Sequence, residues 1–240
     1  YDDNYRQGNA LISDAQFDQL ENNLFRINPK CDYFIAKNNL ILPSLPKDQL
    51  KEFLEGLLNK TRLIVEPKID GCAIGLQYHD GVLTKAISRK GKDVTNKLKE
   101  IPDVPKKIKV KGLFQVRGEL FAPSEYERPN YSQRQASGFL RAADSTSDHL
   151  SFCSFQIING KLNQHESLVY LEKIGFTIPE NHFCNYTSGV EMFRKNWLDK
   201  KLFSNYPTDG IVMKINSRKL QLLREKSYGC YPYWQMAIKY

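Results

Sequence analysis

A chain of 240 residues, 41% of them hydrophobic, can bury one sizeable core with a small appended subdomain, and its composition carries no signature of disorder. No apolar run approaches the roughly 20 residues of a membrane-spanning helix, and the polar N-terminus does not read as a secretion signal, so a membrane-free globular protein is expected. The formal net charge of +8 points to an anionic partner, because clustered Lys and Arg neutralise phosphates and release counterions.

In chain order, Ser13-Asp-Ala-Gln16 offers a capping box, and Phe17, Leu20, Leu24 and Ile27 follow at helical spacing until Pro29. A second helix is expected from about Asp48, carried by Leu50, Phe53, Leu54, Leu57 and Leu58. Beyond Thr61 the texture changes to short β-rich runs: 63–65, 73–78, 82–88, 113–121, 151–158 and 210–215. Asp80-Gly81 between two runs predicts a two-residue hairpin turn, which wants positive φ at both positions. Helical patterns return at 168–174, closed by Gly175, and at 190–198, with Phe193 and Trp197 on one face. The class read from this order is α+β, with mixed or antiparallel sheets rather than a regular βαβ alternation. Cysteines at 31, 72, 153, 184 and 230 form no Cys-x-x-Cys pair, so neither a zinc ribbon nor a disulfide framework is visible, and a cytoplasmic setting is expected.

Two features carry chemistry. Arg89 to Lys111 holds nine lysines and arginines, which on charge alone is as well explained by a solvated face as by a phosphate-binding one. Glu66-Pro-Lys68-Ile-Asp70-Gly71 lies where a strand runs into a turn. Lys-x-Asp-Gly by itself is weak, expected by chance in about one chain in twenty of this size. Its weight comes from five runs downstream of it in the chain: Ser88-Arg89, Val116-Arg-Gly-Glu119-Leu-Phe121, Ser151-Phe-Cys-Ser-Phe155, Asp209-Gly-Ile-Val-Met-Lys214 and Trp234-Gln-Met-Ala-Ile-Lys239.

This series resembles the motifs of nucleotidyltransferases that form a covalent lysyl-nucleotide, the superfamily of DNA ligases, RNA ligases and mRNA capping enzymes. Tyr5 with Ile12-Ser-Asp14-Ala-Gln-Phe17-Asp18, Leu42-Pro-Ser-Leu45, Asp93-Val-Thr95-Asn96 and Arg134-Gln-Ala-Ser-Gly138-Phe-Leu-Arg141 resemble stretches of the NAD-dependent DNA ligases of bacterial type. The resemblance implies a ligase-type nucleotidyltransferase fold at 38–240, preceded by a helical subdomain at 1–37 that recognises nicotinamide mononucleotide (NMN). It implies that Lys68 attacks the α-phosphate of NAD, releases NMN and passes AMP to a 5′-phosphate in nicked duplex DNA.

By the same resemblance Glu66 reads the adenine edge, Glu119 holds the ribose, Phe155 and Val212 enclose the base, and Asp70 lies near ribose and phosphate. Asp209 acts beside the nucleophile and helps position magnesium. Lys239, Lys214 and Arg89 bind phosphate and, gathered round Lys68, would favour loss of its proton. Tyr5, Asp14 and Asp18 contact the NMN half, and Arg134, Arg141 and Lys201 are candidates for phosphate or DNA. Without the resemblance, Phe155 and Val212 are ordinary core residues and Asp14 and Asp18 merely favour a helix N-terminus.

The chain departs from the family at Arg6, where a His is usual, at Phe17, where a Tyr is common, and in a shortened Lys90-Gly-Lys-Asp93 loop. The modules with which a full ligase encircles DNA lie outside these residues, so this piece is expected to charge itself, as a monomer, and to seal nicks poorly. Two other readings fit the residues: an ATP-dependent polynucleotide ligase or capping-type enzyme, and a non-catalytic nucleic-acid-binding module using the basic 89–111 face.

Overall fold

The structure, a computed structural model, describes residues 50–123, 131–142, 145–228 (backbone only from 225) and 233–239, with isolated positions before residue 50. Among those positions 16, 19, 20, 23, 24 and 27 are helical, and Ser13 and Gln16 make the expected reciprocal cap. The Ser13 N–H donates to Gln16 Oε1 at 3.0 Å, and the Gln16 N–H to Ser13 Oγ at 3.3 Å. Phe17 lies outside the described residues, and Leu20, Leu24 and Ile27 are exposed.

Helix α1 is shorter than its apolar pattern suggested. It spans Leu50–Leu54 and buries Phe53, after which the chain turns left-handed at Gly56 (φ 72°) and leaves Leu58 exposed. Strands β1 (Leu63–Ile69), β2 (Cys72–His79) and β3 (Val82–Ser88) come after it. The turn from β2 to β3 has φ 46° at Asp80 and 78° at Gly81, the mirror-image geometry expected from Asp-Gly, and Asp80 Oδ1 accepts from the Gly112 N–H at 2.8 Å. Helix α2 (Thr95–Leu98), β4 (Leu113–Phe121), α3 (Tyr131–Arg141) and β5 (Ser151–Ile157) come next.

Helix α4 (Gln164–Lys173) begins four residues before the 168–174 pattern, because Asn163 caps it and its N–H donates to Glu166 Oε2 at 3.2 Å. The rest is β6 (His182–Cys184), α5 (Val190–Leu198), β7 (Thr208–Ile215), α6 (Arg218–Tyr228) and β8 (Gln235–Ile238). Of the described elements, α2, α3, β6, α6 and β8 had no prediction from periodicity.

The strands form two antiparallel four-stranded sheets, ordered β6-β1-β7-β8 and β3-β2-β4-β5. Each has an apolar face sealed by helices, as the period-2 pattern of its strands requires. In the first, Leu63, Val65, Ile211, Met213, Met236 and Ile238 share a core with Phe53, Val190 and Trp197. In the second, Ile74, Leu76, Tyr78, Val116, Leu120 and Phe152 share one with Ala136, Phe139 and Leu171.

Alternation therefore assigns the remaining residues to the opposite faces: Glu66, Lys68, Val212 and Lys214 in one sheet, Ala73, Glu119, Cys153 and Phe155 in the other. The chain crosses between the sheets at Asp70-Gly71, where β1 runs into β2. No helix among the described residues is long and apolar enough to cross a membrane.

Candidate active site

Lys68 owes its position to an irregularity in its strand. Pro67 pairs with Ile211 and Ile69 with Thr208, so two steps along β1 match three along β7. This bulge tolerates a proline without an N–H and turns Asp209 off the ladder toward β1. Lys68 Nζ donates to Asp209 Oδ1 at 2.6 Å, and Lys239 Nζ, arriving at the end of β8, donates to Oδ2 at 2.6 Å. One carboxylate thus joins two ammonium groups that are 21% and 34% exposed, open enough to meet a ligand. Burial alone would raise the Asp209 carboxyl, but the Lys68 charge and the hydrogen bonds from both lysines hold it below its ordinary value.

Across the crossing, burial raises the Asp70 carboxyl, with the Asp209 charge adding and Lys68 and Lys239 opposing. Glu119 stands opposite Ala73 on β2 and Cys153 on β5. Burial pushes its carboxyl up to about 8 against the pull of Lys68 and Arg89, with Asp70 and Asp209 reinforcing the rise. The mutual influence of Lys68, Asp70, Glu119 and Asp209 puts all four at one cleft mouth. Gly71 permits the approach, since a Cβ there would meet the Leu120 carbonyl and lie 2.9 Å from Glu119 Cγ.

Deeper in the same cleft, Glu66 and Lys214 are each 2% exposed and paired, Lys214 Nζ to Glu66 Oε2, at 2.6 Å. Lys214 also donates to the Phe155 carbonyl at 3.1 Å and lies 4.9 Å from the centroid of the Phe155 ring. Gln164 Nε2 donates to Glu66 Oε1 at 2.9 Å and to the Phe155 carbonyl at 3.0 Å. Val212 pairs with Glu66 across the sheet and is buried. A half-buried aromatic ring, a buried carboxylate and a buried ammonium beside two lysines and three carboxylates make a site with an apolar, donor-acceptor end and a charged end.

A profile of the NAD-dependent DNA ligase adenylation domain matches residues 44–240. The chain belongs to the NAD-dependent DNA ligase adenylation family. A DNA ligase of Petrotoga mobilis is 30% identical over 99% of this chain and 44% of the relative, and one of Gloeobacter violaceus is 34% identical over 74% of this chain and 30% of the relative. The chain thus spans less than half the length of these relatives. A solved archaeal ATP-dependent RNA ligase superposes with a TM-score of 0.50 at 15% identity, covering 83% of this chain and 48% of that one, a likeness in fold.

The remaining residues singled out in this adenylation domain are placed unevenly. Lys214 was expected around Lys68 but bonds Glu66 and Phe155 instead, because it lies deeper along β7, level with Ile64. Arg89 is exposed, its N–H bonded to the Ala73 carbonyl at 3.1 Å, and its charge reaches Glu119. Arg134 is exposed on α3; Arg141, also exposed, donates to the Ser137 carbonyl at 3.2 Å and lies near enough for Cys72 to feel its charge. Lys201 is 69% exposed and paired with Asp199 at 3.2 Å, so nothing described joins it to the cleft. Tyr5, Asp14 and Asp18 lie outside the described residues.

Sequence reasoning missed Gln164, whose signal was the capping pair Asn163 and Glu166 that starts α4 at its side. Among the described residues no group of three or more His, Cys, Asp or Glu could hold a metal ion.

Proposed function

We propose that the chain performs the first half-reaction of nick sealing: the Lys68 amine, its proton given up to solvent, attacks the α-phosphorus of NAD. A nitrogen–phosphorus bond forms, the pyrophosphate bond breaks, and NMN departs, leaving a lysyl-AMP whose nucleotide passes to a 5′-phosphate at a nick in duplex DNA. The observation that carries the reading is the pairing of Lys68 and Lys239 on the two oxygens of Asp209, with Asp70 and Glu119 alongside. Asp209 is a weak base, so it orients the amine rather than deprotonating it. Lys239 is suited to take the phosphate and stabilise the charge built up in transfer, where positioning and electrostatics supply most of the catalysis. Further in, Phe155 and Val212 would enclose the adenine, Glu66 with Lys214 would meet its edge, and Glu119 the ribose.

Magnesium fits this donor set only as a shared ligand. It usually keeps most of its waters and binds one or two carboxylates together with substrate phosphates, so Asp209 and Asp70 suit it where the described residues offer no larger cage. Bound there, it would neutralise phosphate charge. The domain plan supported by the sequence remains an NMN-recognising part at 1–37, carrying Tyr5, Asp14 and Asp18, before a nucleotidyltransferase part at 38–240. The basic 89–111 stretch, with Arg134, Arg141 and Lys201, suits a DNA backbone. We read the protein as a cytoplasmic monomer.

The test is intact mass after incubation with NAD and magnesium and, separately, with ATP. One AMP should be added from NAD and lost in Lys68→Ala. Labelling by ATP alone would overturn the cofactor assignment and favour an ATP-dependent ligase. Salt-sensitive duplex binding with no adduct from either would leave a binding module.

A further inference from the structure

Gln164 ties together the deep end of the cleft, yet the transfer of AMP to Lys68 gives it no part. It is the first residue of α4 and is 3% exposed. An amide nitrogen has two hydrogens, and both are used here, one on Glu66 Oε1 at 2.9 Å and one on the Phe155 carbonyl at 3.0 Å. Lys214 makes a matching pair of bonds from the other side, to Glu66 Oε2 at 2.6 Å and to the same carbonyl at 3.1 Å. Each carboxylate oxygen therefore has one donor, and the strand bearing the Phe155 ring is tied to the strand bearing Glu66.

An ionised carboxylate can only accept, and about two of its four acceptor positions remain open. A 6-aminopurine brings an N–H donor to such a group, whereas a 6-oxopurine brings an oxygen that it repels. Without Gln164 the carboxylate keeps only the Lys214 donor, on Oε2, and could rotate about it, so the distinction would fade. We infer that Gln164 is a positioning residue that locks the Glu66 carboxylate to the Phe155 main chain and so sets the preference of the site for a 6-amino over a 6-oxo purine. The inference rests on the proposed nucleotide site, with Glu66 at the base edge.

The experiment compares wild type, Gln164→Ala and Gln164→Glu, with intact mass following the rate of Lys68 labelling against concentration of NAD or its hypoxanthine analogue. Gln164→Ala should raise KM for NAD about ten-fold or more, as loss of a hydrogen bond to a charged group does. It should narrow the NAD-over-hypoxanthine ratio of kcat/KM by a similar factor and leave kcat within about two-fold.

Gln164→Glu keeps the size but replaces the donor with a second carboxyl, facing Glu66 on β1, Lys214 on β7 and the Cys153 thiol on β5, which feels both. On its own helix His165 is turned toward Asn181 and Glu166 toward Asn163, while Arg218 of α6 is bonded to Gly160 and Gln221. Held beside the Glu66 carboxylate, the new carboxyl is favoured in its protonated, donating form, so this variant should recover as pH is lowered while Gln164→Ala does not. Glu119, pushed up to about 8, titrates in all three proteins, and the comparison isolates the new group.

A change in kcat alone, an unchanged purine preference in Gln164→Ala, or a wild-type pH profile in Gln164→Glu would overturn the inference. If Gln164→Ala melts below the assay temperature, the near-isosteric Gln164→Glu decides through its pH profile. A wild-type chain that takes no AMP from NAD overturns the proposed function instead.

Discussion

At Glu119 burial works against the charge that Lys68 and Arg89 would favour, and burial prevails. Linkage gives the consequence its sign. In the unfolded chain this carboxyl titrates near its ordinary 4.5, and in the folded chain near 8, so between those values the folded state keeps a proton that the unfolded state has released. The contribution to stability is full below about 4.5 and declines as pH rises toward 8. Asp209, held low, acts at the acid end of the scale, outside this window. The melting temperature should therefore fall more steeply from pH 5 to pH 8 in wild type than in Glu119→Gln, by several degrees at about 2–4 °C per kcal/mol for a chain of this size. Parallel melting curves would refute it.

The same residues show what a sequence can say about a site. Lys68, Asp209 and Lys239 were legible only through the resemblance of their runs, taken as a series, to a known set of motifs, and the fold gathers them. The partner of Lys214 was not, because a lysine on a strand says which face it shares but not how deep it lies, and that depth separates it from Asp209. Gln164 was missed for another reason: its contacts span 98 residues to Glu66, and the capping pair at its side marks a helix start without announcing them.

At the scale of elements, strand spacing is set by glycines where two backbones meet. Gly210 comes directly after Asp209, and a Cβ on it would run into the carbonyl oxygen of Ile238, with Lys239 Cα 3.4 Å away. Neither backbone can rotate aside, so β7 and β8 must part and draw Lys239 off Asp209. Gly210→Ala should cost about 1–3 kcal/mol of stability, the usual penalty of overpacking, and slow the labelling of Lys68. A variant with wild-type melting and labelling would show that the strand spacing is slack.

Strands that are β-rich runs bounded by turn residues, such as 82–88 after Gly81 and 113–121 after Gly112, were legible to the residue, as was the Asp-Gly turn. Helix α1 was overread, because leucines at helical spacing say nothing of the left-handed turn at Gly56. Strand β8 was passed over because Gln235, Met236, Ala237 and Ile238 are all buried and leave no polar alternation to see.

The whole molecule is two sheets, each with its own helix-sealed core, and the cleft lies between their other faces. The α+β class with antiparallel sheets could be read in advance from the order of runs and turns. The division into two sheets could not, because it depends on which distant strands pair, as β1 does with β7 across more than 130 residues. A ligand touching both faces stabilises the pair as a unit. At a hundred-fold excess over its dissociation constant it adds about 2.7 kcal/mol, so saturating NAD should raise the melting temperature by roughly 5–10 °C. An unchanged melt would mean that NAD does not bridge the sheets.

Asp209 clasps two ammonium groups with one carboxylate. In the proposed reaction the nitrogen of Lys68 ends as a neutral phosphoramidate, and the attached nucleotide contributes an anionic oxygen where a cation had been. One arm of the clasp opens, and the carboxylate keeps only Lys239 as a cation beside a new anionic oxygen, so its hunger for a proton grows as the lysine is loaded. Loaded and unloaded forms are thus electrical opposites at a single side chain, and the carbon NMR shift of that carboxyl group would report which of the two a molecule is in.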